Sequence, residues 1–232
     1  MTSLPQIPPV VSREWLAEHP DAVVADVRWY LGGRDGHAAY LAGHLPGAVF
    51  VDLNTRLAGP PSAAAGRHPL PTPEAFAADM SAVGIGDGSV VVAYDDAGGA
   101  YAGRLVWMLR LLGMDAALLD GGIDAFAGAL ETGPVEPAPG RFTARGWSAS
   151  DLASIDDACG EPMVLDARAP ERYRGESEPV DPRAGHIPGA RNAFFGGNLN
   201  PDKTFKTPDE LRARFTDLGI TDASGVVSSC GS

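Results

Sequence analysis

The sequence predicts an α/β protein made of two tandem copies of one domain, each a parallel sheet with helices on both faces. Two observations predict this. Three anchors occur twice in the same order. Val24-Ala25-Asp26-Val27-Arg28 recurs as Val164-Leu165-Asp166-Ala167-Arg168, and Gly43-His44-Leu45-Pro46-Gly47-Ala48 as Gly185-His186-Ile187-Pro188-Gly189-Ala190. Thr72-Pro73-Glu74 recurs as Thr207-Pro208-Asp209. Offsets of 140, 142 and 135 residues mark a repeated whole domain rather than a solenoid of small units. The second observation is that apolar runs too short for helices alternate with segments of helical spacing. That is the pattern of parallel strands joined through covering helices.

The elements follow in chain order. Ser12 is placed to cap a helix over 13–19, and the apolar run 23–27 reads as a buried strand. A turn over 43–48 leads to a strand at 49–51, and the Pro-, Gly-, Ala- and Ser-rich stretch 56–71 reads as a loop. Thr72 as N-cap and Pro73 at the first helical position open a helix over 73–83, which Gly84 ends. Residues 90–94 are a continuous apolar run, as expected of a parallel strand covered on both faces. Leu105, Leu109 and Leu112 share a helical face within 100–112, and Gly113 closes that helix. A strand at 116–119 and a short helix at 123–129 complete the first copy. The second repeats a helix near 149–159, a strand at 163–166, a turn at 185–190, a helix at 208–218 and a strand at 225–228. The expected boundaries are a first domain over 1–133, a Pro-rich linker over 134–146 and a second domain over 147–232. The second copy lacks counterparts of the helix, strand and helix that follow Asp95 in the first. The expectation is therefore an incomplete second domain, completed by an associated C-terminal fragment that covers the exposed sheet edge.

A formal charge of −12 and a pI near 4.7 argue against a nucleic-acid surface or attraction to anionic lipid. No apolar run approaches the roughly 20 residues that span a bilayer, and residues 1–10 lack a secretory pattern. The two cysteines, Cys159 and Cys230, form no framework of disulfides, which fits a reducing cytoplasm. No metal-ligand spacing or phosphate-binding loop occurs, and no cofactor is implied.

The repeat isolates a chemical difference between the copies. Asp95 ends the apolar strand of the first copy where Cys230 ends that of the second, followed by Gly231 and Ser232. In open parallel sheets ligands bind beyond the carboxyl ends of the strands. A thiol there is suited to act as a nucleophile: its pKa of about 8.5 falls to about 3.5–7.5 beside amide or cationic groups, and Gly231 frees the backbone to turn N–H groups onto an anion. Taken alone, Cys-Gly-Ser equally fits a small buried hydrophobe. Cys159, in a helix without a partner pattern, reads as structural.

Together the Asp-x-Arg strand ends, the paired Gly-His-[Leu/Ile]-Pro-Gly-Ala turns, Leu119-Asp120-Gly121-Gly122, Arg172-Tyr173-Arg174-Gly175-Glu176 and Val226-Val227-Ser228-Ser229-Cys230-Gly231-Ser232 resemble the tandem-domain rhodanese family of thiosulfate and 3-mercaptopyruvate sulfurtransferases. The resemblance spans nearly the whole chain. It implies an inactive first domain and a second whose Cys230 takes a sulfane sulfur from a small anionic donor, becomes a persulfide and passes the sulfur to cyanide or a thiol, in two half-reactions. A loop beginning Cys-Gly-Ser resembles the mercaptopyruvate type. Arg172 then matches the family's substrate-binding arginine, its planar fork suited to a carboxylate; read alone it fits a surface ion pair. Arg183 is the nearest candidate for a second such arginine, with Arg174 as the alternative. The resemblance further implies a relay in which Ser232 meets His68 of the first domain. Where the family has an aspartate behind that histidine this chain has Asn54, with Asp52 two residues earlier; read alone, His68 fits an exposed loop residue. His44, His186, Asp26 and Asp166 occur in both copies and so read as structural. The alternatives left open are a thiosulfate enzyme, a dual-specificity phosphatase and a non-catalytic sulfur carrier.

Overall fold

The computed structural model describes residues 5–158, 163–181 and 183–230, without the side chain of Ile155. The chain divides into two compact units, Met1–Trp147 and Ser148–Ser232. Unit 1 runs β1 (Val10–Val11), α1 (Arg13–Glu18), β2 (Val23–Asp26), α2 (Gly36–Ala42), β3 (Val49–Phe50), α3 (Leu53–Arg56), α4 (Pro73–Ala82), β4 (Val91–Tyr94), α5 (Ala102–Leu111) and β5 (Ala116–Leu119). Its five strands are all parallel, in the order β1-β5-β4-β2-β3. Central β4 is buried along its whole length, and alternation splits its side chains between two cores. Val91 and Ala93 join Phe76 and Met80 of α4 and Leu105 and Leu109 of α5 on one face. Val92 and Tyr94 meet Leu45, with Trp15 and Leu16 of α1, on the other. Helices therefore cover both faces, as expected.

Unit 2 contains α6 (Ile155–Ala158), β6 (Met163–Asp166), α7 (Pro170–Tyr173), β7 (Arg191–Asn192), α8 (Pro208–Asp217) and β8 (Val226–Ser229). Its parallel sheet has the order β7-β6-β8, with Val164, Ala158 and Ala190 at the centre of a small core. The two sheets share one register. Asp26 pairs with Tyr94 on β4, and Asp166 pairs with Ser229 on β8.

Several segments differ from expectation. Helix α2 arises where no helix was expected: Asp35 caps it by accepting from the His37 N–H at 2.9 Å, and it buries Tyr40. The helix expected over 123–129 is a single 3-10 turn, Gly122–Ala125, after which Phe126 is extended. Gly122 explains the tight start. A Cβ there would lie 2.2 Å from the Asp95 carbonyl oxygen at a φ of +59°, so only glycine lets the chain close onto the end of β4. The helix expected near 149–159 is a 3-10 turn, Ala149–Asp151, followed by α6. Residues 134–146, expected as the linker, run along unit 1. The Val135 N–H donates to the Tyr40 hydroxyl at 3.0 Å, Phe142 N–H to Ser81 Oγ at 3.1 Å, and Arg145 to Asp87 at 2.5 Å. Among the described residues no helix is long and apolar enough to cross a membrane.

Candidate active site

The carboxyl ends of β2 and β6 each carry the same charged clasp. Asp26 is fully buried, and its carboxylate accepts from the Arg28 N–H at 3.0 Å and from the guanidinium at 2.6–3.0 Å. Arg28 also donates to the Gly43 carbonyl at 2.6 Å. In unit 2 Arg168 binds Asp166 at 2.6–3.1 Å and the Gly185 carbonyl at 2.6 Å. Burial pushes the Asp166 carboxyl up, but the Arg168 guanidinium and N–H outweigh it and hold the group below the usual carboxylate range. The repeated histidines serve the same scaffold. His44 stacks on Tyr40 at 4.2 Å and His186 on Tyr173 at 3.8 Å, each with Nδ1 against the tyrosine's carbonyl. The Tyr40 and Tyr173 hydroxyls then donate to the Ala48 and Ala190 carbonyls at 2.9 and 2.7 Å. These residues lock the Gly-His turns onto the strand ends.

One residue beyond β4, Asp95 is buried and fills a cup of amides. Its Oδ1 accepts from Ala97 N–H at 2.9 Å and Gly99 N–H at 2.8 Å; Oδ2 accepts from Tyr101 N–H at 2.8 Å and Ala102 N–H at 2.9 Å. The N-terminus of α5 thus contributes to a site built for one negative charge. Cys230 holds the equivalent ladder position. The Ser229 carbonyl accepts from Ala167 N–H at 2.8 Å, as the Tyr94 carbonyl does from Val27 N–H at 2.9 Å. Cys230 is exposed and its thiol is free of a disulfide. Gly231 and Ser232, and likewise Cys159, lie outside the described residues.

Arg172, near the end of α7, does not project alone. Its Nε and Nη2 donate to Glu178 at 3.2 and 2.7 Å, and Nη2 also donates to Asp181 at 2.9 Å. Glu178 further meets Arg168 at 3.4 Å and accepts from the Val180 and Asp181 N–H groups. The Arg172 guanidinium and these donors hold the Glu178 carboxyl down at about 2. A continuous chain of contacts therefore runs from Asp166, beside Ser229, through Arg168 and Glu178 to Arg172 and Asp181. Neither Glu178 nor Asp181 was singled out from sequence, although carboxylates six and nine positions after Arg172 are a signal that could have found them. Arg183 is exposed. Arg174 makes a two-pronged pair with Glu176 at 2.7 Å on an exposed surface.

His68 lies in unit 1, with its Nε2 3.0 Å from Asn54 Oδ1, which also accepts from Trp29 Nε1 at 3.0 Å. Asn54, not Asp52, is thus its partner; Asp52 caps α3 through Thr55. An amide oxygen requires Nε2 to carry the proton, which leaves the Nδ1 lone pair as the basic site. Burial, with Arg104 and Arg67 adding to it, pushes the His68 pKa down. The ring is therefore oriented by Asn54, and its charged form is disfavoured.

A doubled α/β unit, with one strand end closed by a carboxylate and the equivalent strand end bearing a cysteine outside any disulfide, defines a class of proteins built from two copies of one domain. Comparison with known proteins specifies that class. The rhodanese-like domain family matches residues 12–129. The putative thiosulfate sulfurtransferase SseB of Mycobacterium tuberculosis is 43% identical over 218 residues, 90% of this chain and 77% of that protein. The probable 3-mercaptopyruvate sulfurtransferase of Pseudomonas aeruginosa is 41% identical, over 92% of this chain and 79% of that protein. Among solved structures, SseA from Escherichia coli, a 3-mercaptopyruvate sulfotransferase by its description, aligns with a TM-score of 0.83 at 33% identity, over 97% of this chain and 89% of that one. The chain belongs to the rhodanese family, as the repeated motifs implied.

Two outcomes test the reading of the site. Asp95→Asn retains one carbonyl acceptor but turns an NH2 against two donors. It is expected to destabilise the protein by about 3 kcal/mol in urea denaturation, since each unsatisfied buried donor costs about 1–3 kcal/mol; a loss below about 0.5 kcal/mol would show that the cup is held by other means. Because the folded pKa of Glu178 lies near 2 and an unperturbed glutamate titrates near ~4.3, its stabilisation is complete above that value and lost as pH falls towards 2. The urea midpoints of wild type and Glu178→Gln are therefore expected to differ at pH 7 and to converge between pH ~4.3 and 2.

Proposed function

We propose that this sulfurtransferase uses Cys230 as its nucleophile and prefers 3-mercaptopyruvate to thiosulfate as donor. The observation that carries the reading is positional: Cys230 follows the strand equivalent to the one that ends in Asp95, where the first copy gathers four amide protons on one anion. In the first half-reaction the thiolate attacks the donor's thiol sulfur. The S–S bond forms as the donor's C–S bond breaks, the released carbanion takes the thiol proton, and pyruvate leaves. In the second, cyanide or a thiolate attacks the outer sulfur and Cys230 departs as thiolate. No external oxidant or reductant is consumed.

The donor preference rests on charge. Two guanidinium groups, Arg168 and Arg172, already face the carboxylates of Asp166, Glu178 and Asp181. Such a cluster accommodates one carboxylate on the Arg172 fork more readily than dianionic thiosulfate. The relatives' names divide between the two donors, so rates decide. A reducing, cytoplasmic setting belongs to the same proposal, since the nucleophile must stay a free thiol.

With cyanide as acceptor, kcat/KM is expected to be higher for 3-mercaptopyruvate than for thiosulfate. Cys230→Ser should abolish turnover and the mass gain of one sulfur atom seen after donor alone; residual turnover near the wild-type level would overturn the assignment. Arg172→Ala should raise the donor KM by about ten- to a hundredfold with kcat little changed, the pattern of a lost ground-state contact worth about 1.5–3 kcal/mol. Arg172→Lys, which keeps the charge but loses the fork, should recover only part of it.

A further inference from the structure

We infer that Trp29 is a positioning residue: its indole N–H fixes which face the Asn54 amide turns to His68, and so holds that histidine in the tautomer whose basic atom is Nδ1. The inference rests on the reading of His68 as a residue of the site. Three segments of unit 1 bring the group together. Trp29 directly follows Arg28 of the buried clasp, and its ring packs edge-on against Tyr101 at 5.3 Å. Asn54 lies in α3, which Asp52 caps and Leu53 anchors in the interior. The His68 carbonyl accepts from Arg104 Nη2 at 2.8 Å, and the His68 ring meets Trp29 edge-on at 5.6 Å. Where the three converge, Asn54 Oδ1 accepts from Trp29 Nε1 and lies against His68 Nε2, each at 3.0 Å.

The three groups differ in what they can offer. An amide has an acceptor end and a donor end, and the Nε2 of a neutral imidazole carries either a proton or a lone pair. Asparagine and histidine by themselves can therefore satisfy each other in two ways: Oδ1 against Nε2–H, or Nδ2–H against the Nε2 lone pair. An indole nitrogen only donates. Turning Nδ2 towards Trp29 would set two donors against each other and lose the indole hydrogen bond. Only the first arrangement bonds all three groups, and it puts the proton on Nε2 and the lone pair on Nδ1. A carboxylate at position 54 would need no such lock, because both its oxygens accept. Trp29 supplies the direction that an asparagine lacks.

The test is a double-mutant cycle in the full chain. Trp29→Phe, which keeps an aromatic ring and removes the N–H, is made in the native background and in Asn54→Asp. The readouts are the nitrogen resonances of the His68 ring at pH about 9, where a histidine is neutral, and kcat/KM for both donors. The wild type is expected to carry the His68 proton on Nε2. In the native background Trp29→Phe should raise the ratio of the Nδ1–H to the Nε2–H form about five- to tenfold, the weight of one hydrogen bond. kcat/KM should fall in proportion to the Nε2–H form lost. In the Asn54→Asp background the same substitution should leave both readouts unchanged. A wild type protonated on Nδ1, or a ratio that Trp29→Phe does not move, overturns the inference. Equal losses of kcat/KM in the two backgrounds also overturn it, since they mark Trp29 as packing alone. Should Trp29→Phe fail to fold, Asn54→Ala takes its place: it is expected to raise the same ratio and to speed hydrogen exchange at the Trp29 indole, and no change in either refutes the lock. His68→Ala with kcat/KM unchanged for both donors would instead remove the reading of His68 on which the inference rests, whatever the tautomer.

Discussion

A buried aspartate bound by the arginine two residues later is the constraint on which both units depend. Asp26 and Asp166 sit where the central strands end, so their carboxylates leave water on folding, and only a full set of donors offsets that cost. Arg28 and Arg168 supply the donors and spend a remaining N–H on a glycine carbonyl of the neighbouring turn. The strand end, the Gly-His turn and the tyrosine–histidine stack behind it are thereby held in one geometry. Breaking such a pair by removing one partner costs about 3–5 kcal/mol, a large share of a domain's stability. Everything beyond the strand ends is built on that platform.

The copies part company on the adjacent strand. Tyr94 of unit 1 completes the clasp, its hydroxyl donating to Asp26 at 2.8 Å and accepting from Leu45 N–H at 3.0 Å, and burial pushes its pKa up, which keeps it a donor. Ser229 stands in its register position in unit 2. One residue later the contrast sharpens. A carboxylate in the amide cup is a permanent occupant, fixed by four short bonds. A cysteine at the same ladder position carries a group that can also form a covalent bond. The first copy thus keeps the architecture of an anion site and closes it with its own side chain, while the second exposes a cysteine.

The fold was largely legible because its signals are local or repeated. The apolar run of β4, the Thr72-Pro73 and Thr207-Pro208 helix starts and the duplicated turns each state their structure within a few residues. Thr207 even makes the full capping box with Glu210. What escaped depends on tertiary context. Helix α2 begins at Gly36, which tolerates no Cβ because the Arg28 carbonyl lies 2.1 Å from its position; glycine there looks like a helix breaker but is a packing requirement. Sequence distance favours neither Asn54 nor Asp52 as the partner of His68; the contact of its Nε2 with Asn54 decides it, while Asp52 caps α3. Arg172 was legible as a residue type, but its two carboxylate partners were not, since burial of Glu178 follows from how the chain turns after α7.

The net charge of −12 sharpens the question of how an anionic donor is held. The long-range field of such a protein repels the donor, yet at physiological ionic strength it is screened within about 8 Å. Binding must therefore come from donors at contact distance, where a guanidinium fork or a cup of amides outweighs the distant field. Both devices come with an anion already in place: Asp95 in the cup of unit 1, and Glu178 and Asp181 on Arg172 in unit 2. Filling each site with an internal carboxylate avoids leaving buried or half-buried positive groups uncompensated when no ligand is bound, and it keeps their geometry fixed. If the donor binds Arg172 as proposed, it meets a guanidinium that already carries Glu178 and Asp181.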